Sequence, residues 1–96
     1  MRISESEKNA IVEAIKKNDP AGRVWLFGSR TDDAKKGGDI DIAVLSDRIN
    51  NDAMLKITVR RCILERIGEQ RIDIVTSSDG KEAFFRLAVQ EGIELL

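Results

Sequence analysis

Apolar residues recur at helical spacing in three parts of the chain. The first part begins at Ser4, which with Glu7 forms the pattern of a capping box. It ends before Pro20, because proline pushes the residue ahead of it out of helical geometry. A second helix is predicted from about residue 52 to residue 67, with Gly68 as its C-terminal stop. Its apolar face consists of Leu55, Val59, Cys62 and Ile63, widened by Ile57, Leu64 and Ile67.

A third helix is predicted to start within residues 79–82 and to end at Gly92. Phe84, Leu87 and Ala88 follow one another at helical spacing in it. These residues are therefore the expected apolar face of this helix.

The remaining apolar residues lie in short runs that predict strands. Residues 24–27 form a continuous apolar run, which is typical of a strand that is buried on both faces, and the strand is predicted over about residues 23–27. Residues 39–45 and 71–76 alternate in the manner of strands, and 93–96 could add a short edge strand. The connecting segments are predicted to be a short helical turn at 31–34, a loop at 35–38 and a polar turn at 46–51 whose Asn50 or Asn51 caps the next helix.

Composition limits the classes of protein to which the chain can belong. It has 96 residues, of which 42% are hydrophobic and 34% charged, and this mixture predicts one globular domain over residues 1–96. A net charge of −1 gives no general attraction to nucleic acid or to an anionic membrane, and no run is long enough to span a bilayer. The absence of histidine excludes Ser-His-Asp catalysis and His-ligated zinc by this chain alone. Because Cys62 has no second cysteine to pair with, a cytoplasmic location is the simplest expectation, and Cys62 is interpreted as a core residue.

Two acids stand at the start of the strand predicted over 39–45. Side chains alternate along a strand, so Asp39 and Asp41 point to the same side, while Ile40 and Ile42 point to the other. Two neighbouring carboxylates at a partly buried strand end repel each other unless a cation lies between them. Mg²⁺ binds in this way, through one or two carboxylates together with water and substrate phosphates.

Gly28 and Ser29 interrupt the preceding apolar strand at its end. A turn of this kind allows backbone N–H groups to approach a phosphate closely. Asp73, placed between Ile72 and Ile74, supplies a third carboxylate. If its strand pairs with the Asp41 strand with their apolar faces aligned, Asp73 lies beside the other two acids, which is the composition of a two-metal phosphoryl-transfer site.

These residues together resemble a known family. Gly28-Ser29, a spacer of nine residues, Asp39-Ile40-Asp41 and a later Asp73 between apolar neighbours look like the signature of the minimal nucleotidyltransferases, within the DNA polymerase beta-like nucleotidyltransferase superfamily. Arg30 directly after the Gly-Ser pair also fits. The resemblance implies an α/β (α+β) fold, with a small mixed β-sheet of three to four strands flanked by helices.

The resemblance also implies a reaction and its residues. Gly28, Ser29 and Arg30 would bind the phosphates of ATP or another NTP. Asp39 and Asp41 would hold two Mg²⁺ ions, and Asp73 would complete the metal site and act as the third catalytic carboxylate. Small members of this family often act as antitoxins that attach AMP to an all-helical HEPN-domain toxin, so the expected partner is such a protein.

Two other interpretations remain open. The chain could keep the fold mainly as a partner-binding module, or it could be a small structural domain with incidental acids. The sequence gives no indication of nucleic-acid binding, and it leaves a homo-oligomer possible.

Overall fold

The computed structural model of the protein describes residues 3–28 and 39–96, which form one mixed β-sheet with helices on both faces. The strand order is β3-β2-β1-β4, with β1 antiparallel to both β2 and β4, and β2 parallel to β3. In chain order the elements are α1 (Glu5–Asn18), β1 (Arg23–Phe27), β2 (Ile40–Leu45), α2 (Asp47–Asn50), α3 (Ala53–Ile67), β3 (Ile72–Ser77), α4 (Ala83–Glu91) and β4 (Ile93–Leu95). The predicted fold class, a small mixed sheet of four strands flanked by helices, is confirmed.

Helix α1 begins and ends at the signals that the sequence carries. The Ser4 hydroxyl accepts a hydrogen bond from the Glu7 N–H, and the Glu7 carboxylate accepts one from the Ser4 N–H, so the capping box is complete. The helix stops at Asn18, two residues before Pro20.

Helices α1 and α3 cover one face of the sheet and form the larger core. Val24 and Leu26 of β1 point to this side, whereas Trp25 between them points to the other. All three are at most 6% exposed, so β1 is buried on both faces as its continuous apolar run predicts. The buried residues of this core are Ile11, Ala14, Ile15, Val24, Leu26, Ile40, Ile42, Val44, Ile49, Val59, Ile63, Ile72 and Leu95.

Helix α4 covers part of the opposite face. Phe85 and Ala88 pack there against Trp25 and Ala43, and the Trp25 and Phe85 rings meet edge to face with centroids 6.1 Å apart. Since α4 has only nine residues, it leaves the rest of this face uncovered. The uncovered part includes the strand ends that carry the acids.

The prediction of a simple turn over residues 46–51 is wrong. Ser46 is buried and caps the short helix α2, because its hydroxyl accepts from the Ile49 N–H while it donates to Asp19 Oδ2 at 2.6 Å. Asp52, and not Asn50 or Asn51, caps α3 by accepting from the Leu55 N–H. Serine, aspartate and asparagine favour both turns and N-caps, so composition alone did not separate the two possibilities.

The predicted apolar faces also need correction at three residues. Phe84 and Leu87 of α4 are 59% and 50% exposed, and Ile57 of α3 is 56% exposed. Phe85 takes the buried place in α4 because it, together with Ala88, faces the sheet. Cys62 is half-buried against the larger core, in agreement with its interpretation as a packing residue.

The short helical turn predicted at 31–34 and the loop predicted at 35–38 lie outside the described residues. Within the two described segments, no helix combines the length and the apolar character that crossing a bilayer requires.

Candidate active site

Asp41 and Asp73 are direct neighbours on two parallel strands. Strand β2 pairs with β3 so that Asp41 lies opposite Asp73, and Ile40 and Ile42 lie opposite Ile72 and Ile74. Since the apolar residues of both strands point into the larger core, both acids point to the face that α4 only partly covers. This is the pairing, with apolar faces aligned, on which the sequence prediction depended, and it places the two carboxylates beside each other.

Gly28 brings the end of β1 against the same carboxylate. Phe27 lies opposite Asp41 in the antiparallel β1–β2 pair, and Gly28 follows with φ of +77°. A Cβ atom at Gly28 would lie 2.4 Å from Asp41 Oδ2, far inside van der Waals contact. Only glycine therefore permits both this backbone conformation and this close approach to the carboxylate.

The electrostatics of the site centre on Asp41, which is half-buried. Burial is the largest cause that raises the pKa of the Asp41 carboxyl, and the negative charges of Asp73 and Asp39 raise it further. A hydrogen bond that the protonated Asp41 carboxyl donates to Asp73 raises the pKa of Asp41 in the same direction. The site therefore favours an added proton or cation between the two acids.

Asp39 lies just before β2, next to Arg71 at the start of β3. The Ile40 N–H donates to the Arg71 carbonyl at 3.0 Å, and Arg71 Nη1 lies 4.0 Å from Asp39 Oδ2. The Arg71 side chain is 79% exposed, so solvent weakens this ion pair. Asp39 thus acts on Asp41 through its charge while it stays beside its own cation.

The carboxylate pair fits a hard divalent cation. No three His, Cys, Asp or Glu side chains within residues 3–28 and 39–96 are arranged as a ready metal-ligand set. Mg²⁺ needs fewer protein ligands than that, since one or two carboxylates suffice when water and substrate phosphates supply the rest. The negative charges of Asp41 and Asp73 attract such an ion, and because Gly28 has no Cβ its backbone lies close to the Asp41 carboxylate.

Ser29 and Arg30, the other two residues predicted to bind nucleotide phosphates, lie outside the described residues. The catalytic, metal-binding and nucleotide-binding roles of the six predicted site residues stay predictions. The structure establishes the spatial arrangement of four of them, which are Gly28, Asp39, Asp41 and Asp73.

Two aromatic side chains near the carboxylates, Phe27 and Phe84, form an aromatic wall that was not predicted from the sequence. The exposed Phe84 ring of α4 meets Phe27 edge to face, with centroids 6.1 Å apart. Phe84 also lines a cleft together with Val75, which points to the same side of β3 as Asp73. The adjacent pair Phe84-Phe85 was the available signal, because only one of two consecutive residues in a helix can face the sheet.

Comparison with known protein families identifies a match over most of the chain. The family model described as Polymerase beta, Nucleotidyltransferase matches residues 9–96, which includes all the acids of the site. No curated protein matches the chain.

Proposed function

Because the chain belongs to the Polymerase beta nucleotidyltransferase family, we propose that it transfers a nucleoside monophosphate from an NTP to a hydroxyl group of a protein. The observation that carries the proposal is the register that places Asp41 beside Asp73, against the turn at Gly28. Members of the family typically use an NTP with a divalent metal ion, and this corner of the sheet offers hard oxygen ligands and a glycine turn for that pair of ligands.

The predicted site residues have distinct roles in the proposed reaction. Gly28 lets the phosphate chain approach Asp41, with Ser29 and Arg30 as its further contacts. Asp73 takes the proton of the acceptor hydroxyl, whose oxygen then bonds to the α-phosphorus. The bond from the α-phosphorus to the oxygen that bridges to the β-phosphate breaks, and pyrophosphate leaves with that electron pair.

Asp39, Asp41 and Asp73 would hold two Mg²⁺ ions. When bound, such ions neutralise the phosphate oxygens and favour the deprotonated acceptor oxygen. Asp41 and Asp73 already lie in contact, whereas Asp39 would exchange its weak pairing with Arg71 for a metal contact. An exposed ion pair contributes little to stability, so the loss of the Asp39–Arg71 pair costs little free energy.

The proposed donor is ATP, and the proposed acceptor is a small all-helical HEPN-domain protein, for which this chain would act as the antitoxin by attaching AMP. Support for this finer assignment comes from the resemblance of the Gly28-Ser29, Asp39-Ile40-Asp41 and Asp73 signature to the minimal nucleotidyltransferases.

Mass spectrometry of such a partner, incubated with the chain, ATP and Mg²⁺, tests the proposal. The partner's mass is expected to rise by whole AMP units with the wild-type chain and to stay unchanged with Asp41→Asn. A rise with Asp41→Asn equal to that with the wild type would contradict the assigned chemistry. An Asp41→Asn variant that still neutralises the partner would favour the alternative of a binding module.

A further inference from the structure

The exposed ring of Phe84 lies beside the proposed catalytic carboxylates. It is 59% exposed although it belongs to an amphipathic helix whose next residue, Phe85, is 4% exposed. Its edge-to-face contact with Phe27 fixes it near the end of β1, since Phe27 lies opposite Asp41. A large aromatic ring is thus held at the border of the site with much of its surface uncovered.

The cleft that Phe84 lines is small. It has a volume of about 210 Å³ and is lined by Val75, Thr76, Glu82, Phe84 and Phe85. Pockets for whole drug-sized ligands usually measure about 300–1,000 Å³, so this cleft suits one ring system and not an entire nucleotide. Val75 is two residues beyond Asp73 and points to the same side of β3, so the cleft opens next to the carboxylates.

The rim of the cleft carries a hydrogen-bond acceptor. Ser77 is fully buried, and its hydroxyl donates to Glu82 Oε1 and so orients the Glu82 side chain at the start of α4. Among the described residues, Glu82 Oε2 has no hydrogen-bond donor. A negatively charged acceptor beside the apolar side chains of Val75, Phe84 and Phe85 complements a planar ring with an exocyclic amine, as in adenine, guanine or cytosine.

From this arrangement we infer that Phe84 stacks on the base of the bound NTP, with Glu82 accepting from the exocyclic amine of the base. The inference rests on the proposed function, because it takes the phosphates to lie at Gly28 and Asp41. The strand order places the cleft at β3 and the Gly28 turn at β1 on either side of β2, so a nucleoside that extends across β2 from the phosphates reaches the cleft. Phe84 is accordingly a specificity-determining residue that the sequence signature does not contain.

Calorimetric titration with Mg²⁺ and two probes, ATP and tripolyphosphate, separates the base from the phosphates. Stacking of a base on an aromatic side chain predicts that Phe84→Ala weakens ATP binding about tenfold. Tripolyphosphate binding is expected to stay unchanged, and Phe84→Tyr is expected to restore ATP binding. Ile57→Ala is the matched control, because Ile57 is 56% exposed and lies on α3, which covers the opposite face. UTP, which lacks an exocyclic amine, is expected to bind less tightly than ATP to the wild type.

Several results would overturn this inference. They are unchanged ATP affinity in Phe84→Ala, an equal loss for ATP and tripolyphosphate, or equal affinity of the wild type for both probes. Normal ATP binding by Phe84→Ala with reduced transfer to a protein would assign the cleft to the acceptor instead. If the wild type binds neither probe, the proposed function fails together with the inference, whereas the other outcomes leave the proposed function intact. A thermal melt of each variant, with Phe84→Leu as an apolar replacement, verifies folding.

Discussion

Replacing Gly28 with alanine adds one methyl group at the point where the β1 turn meets the Asp41 carboxylate. The new Cβ would lie 2.4 Å from Asp41 Oδ2, so the carboxylate has to turn away from its position beside Asp73. The backbone at this residue also has φ of +77°, which an L-residue adopts at a cost of about 1–2 kcal/mol. Alanine reduces the entropy of the unfolded chain, and this offsets about 0.4–1 kcal/mol of that cost.

The expected net loss from the backbone is therefore about 1 kcal/mol, or roughly 4–8 °C in melting temperature for a domain of this size. Gly68→Ala is the control for a substitution at a positive φ that meets no neighbouring atom. Gly68 has φ of +86°, and a Cβ there would meet nothing within 4 Å. Gly68→Ala is thus expected to show the conformational cost alone, while Gly28→Ala shows that cost together with the displacement of Asp41.

The assay combines urea denaturation with the change in melting temperature on addition of ATP and Mg²⁺. Gly28→Ala is expected to lose the ligand-induced stabilisation, and Gly68→Ala is expected to keep it. In an Asp41→Ala background the contact with Oδ2 is gone, so Gly28→Ala should cost there only its own backbone contribution of about 1 kcal/mol. If Gly28→Ala and Gly68→Ala lose equal stability and both keep the rise in melting temperature with ATP and Mg²⁺, the packing of the turn against Asp41 is not required for nucleotide binding.

Three further outcomes follow from other contacts. The raised pKa of Asp41 makes the folded protein hold this proton to higher pH than the unfolded chain, so the contribution to stability is full below about pH 4 and is lost as pH rises through the folded-state pKa. In urea denaturation without Mg²⁺, Asp41→Asn should reduce this fall in the free energy of unfolding with pH and raise that free energy by about 0.2–1 kcal/mol at neutral pH. The same dependence on pH in the variant and the wild type would contradict the prediction. Gly92→Ala should cost about 1–3 kcal/mol in urea denaturation, since its Cβ would lie 2.6 Å from the Ala88 carbonyl oxygen and 2.7 Å from that of Leu26; wild-type stability would refute the close packing. ATP with Mg²⁺ at a hundred times the wild-type Kd should stabilise the wild type by about 2.7 kcal/mol and Asp73→Asn by at most about 1.4 kcal/mol, as followed by thermal melts; equal gains would contradict a role for Asp73.

The relation between Asp41 and Asp73 could be predicted from the sequence because a strand has a strict period of two. Once Ile40, Ile42, Ile72 and Ile74 are assigned to the core, the acids between them have to share the other face. The direction of pairing does not change this relation, because Ile-Asp-Ile reads the same in both directions; the structure shows that the strands are parallel. Local signals of this strength also fixed both ends of α1.

The aromatic wall could not be predicted in the same way. Phe84 and Phe85 are adjacent aromatic residues, and their assignment to solvent or sheet depends on how α4 crosses the sheet. That crossing is a tertiary property, set by the packing of Phe85 and Ala88 on Trp25 and Ala43. Helix α2 escaped prediction for a related reason, because the cap at Ser46 is stabilised by Asp19, which is distant in the sequence.

In the proposed function, Asp41 and Asp73 jointly hold the cation that a bound nucleotide requires. Isothermal titration of ATP into the wild type, Asp41→Asn, Asp73→Asn and Glu69→Gln, with and without Mg²⁺, tests it most directly, since Glu69→Gln removes one exposed carboxylate elsewhere on the surface. The expected result is Mg²⁺-dependent binding in the wild type and in Glu69→Gln, weakened at least about tenfold in the two aspartate variants. Binding of equal strength in all four proteins, or binding independent of Mg²⁺, would contradict the account.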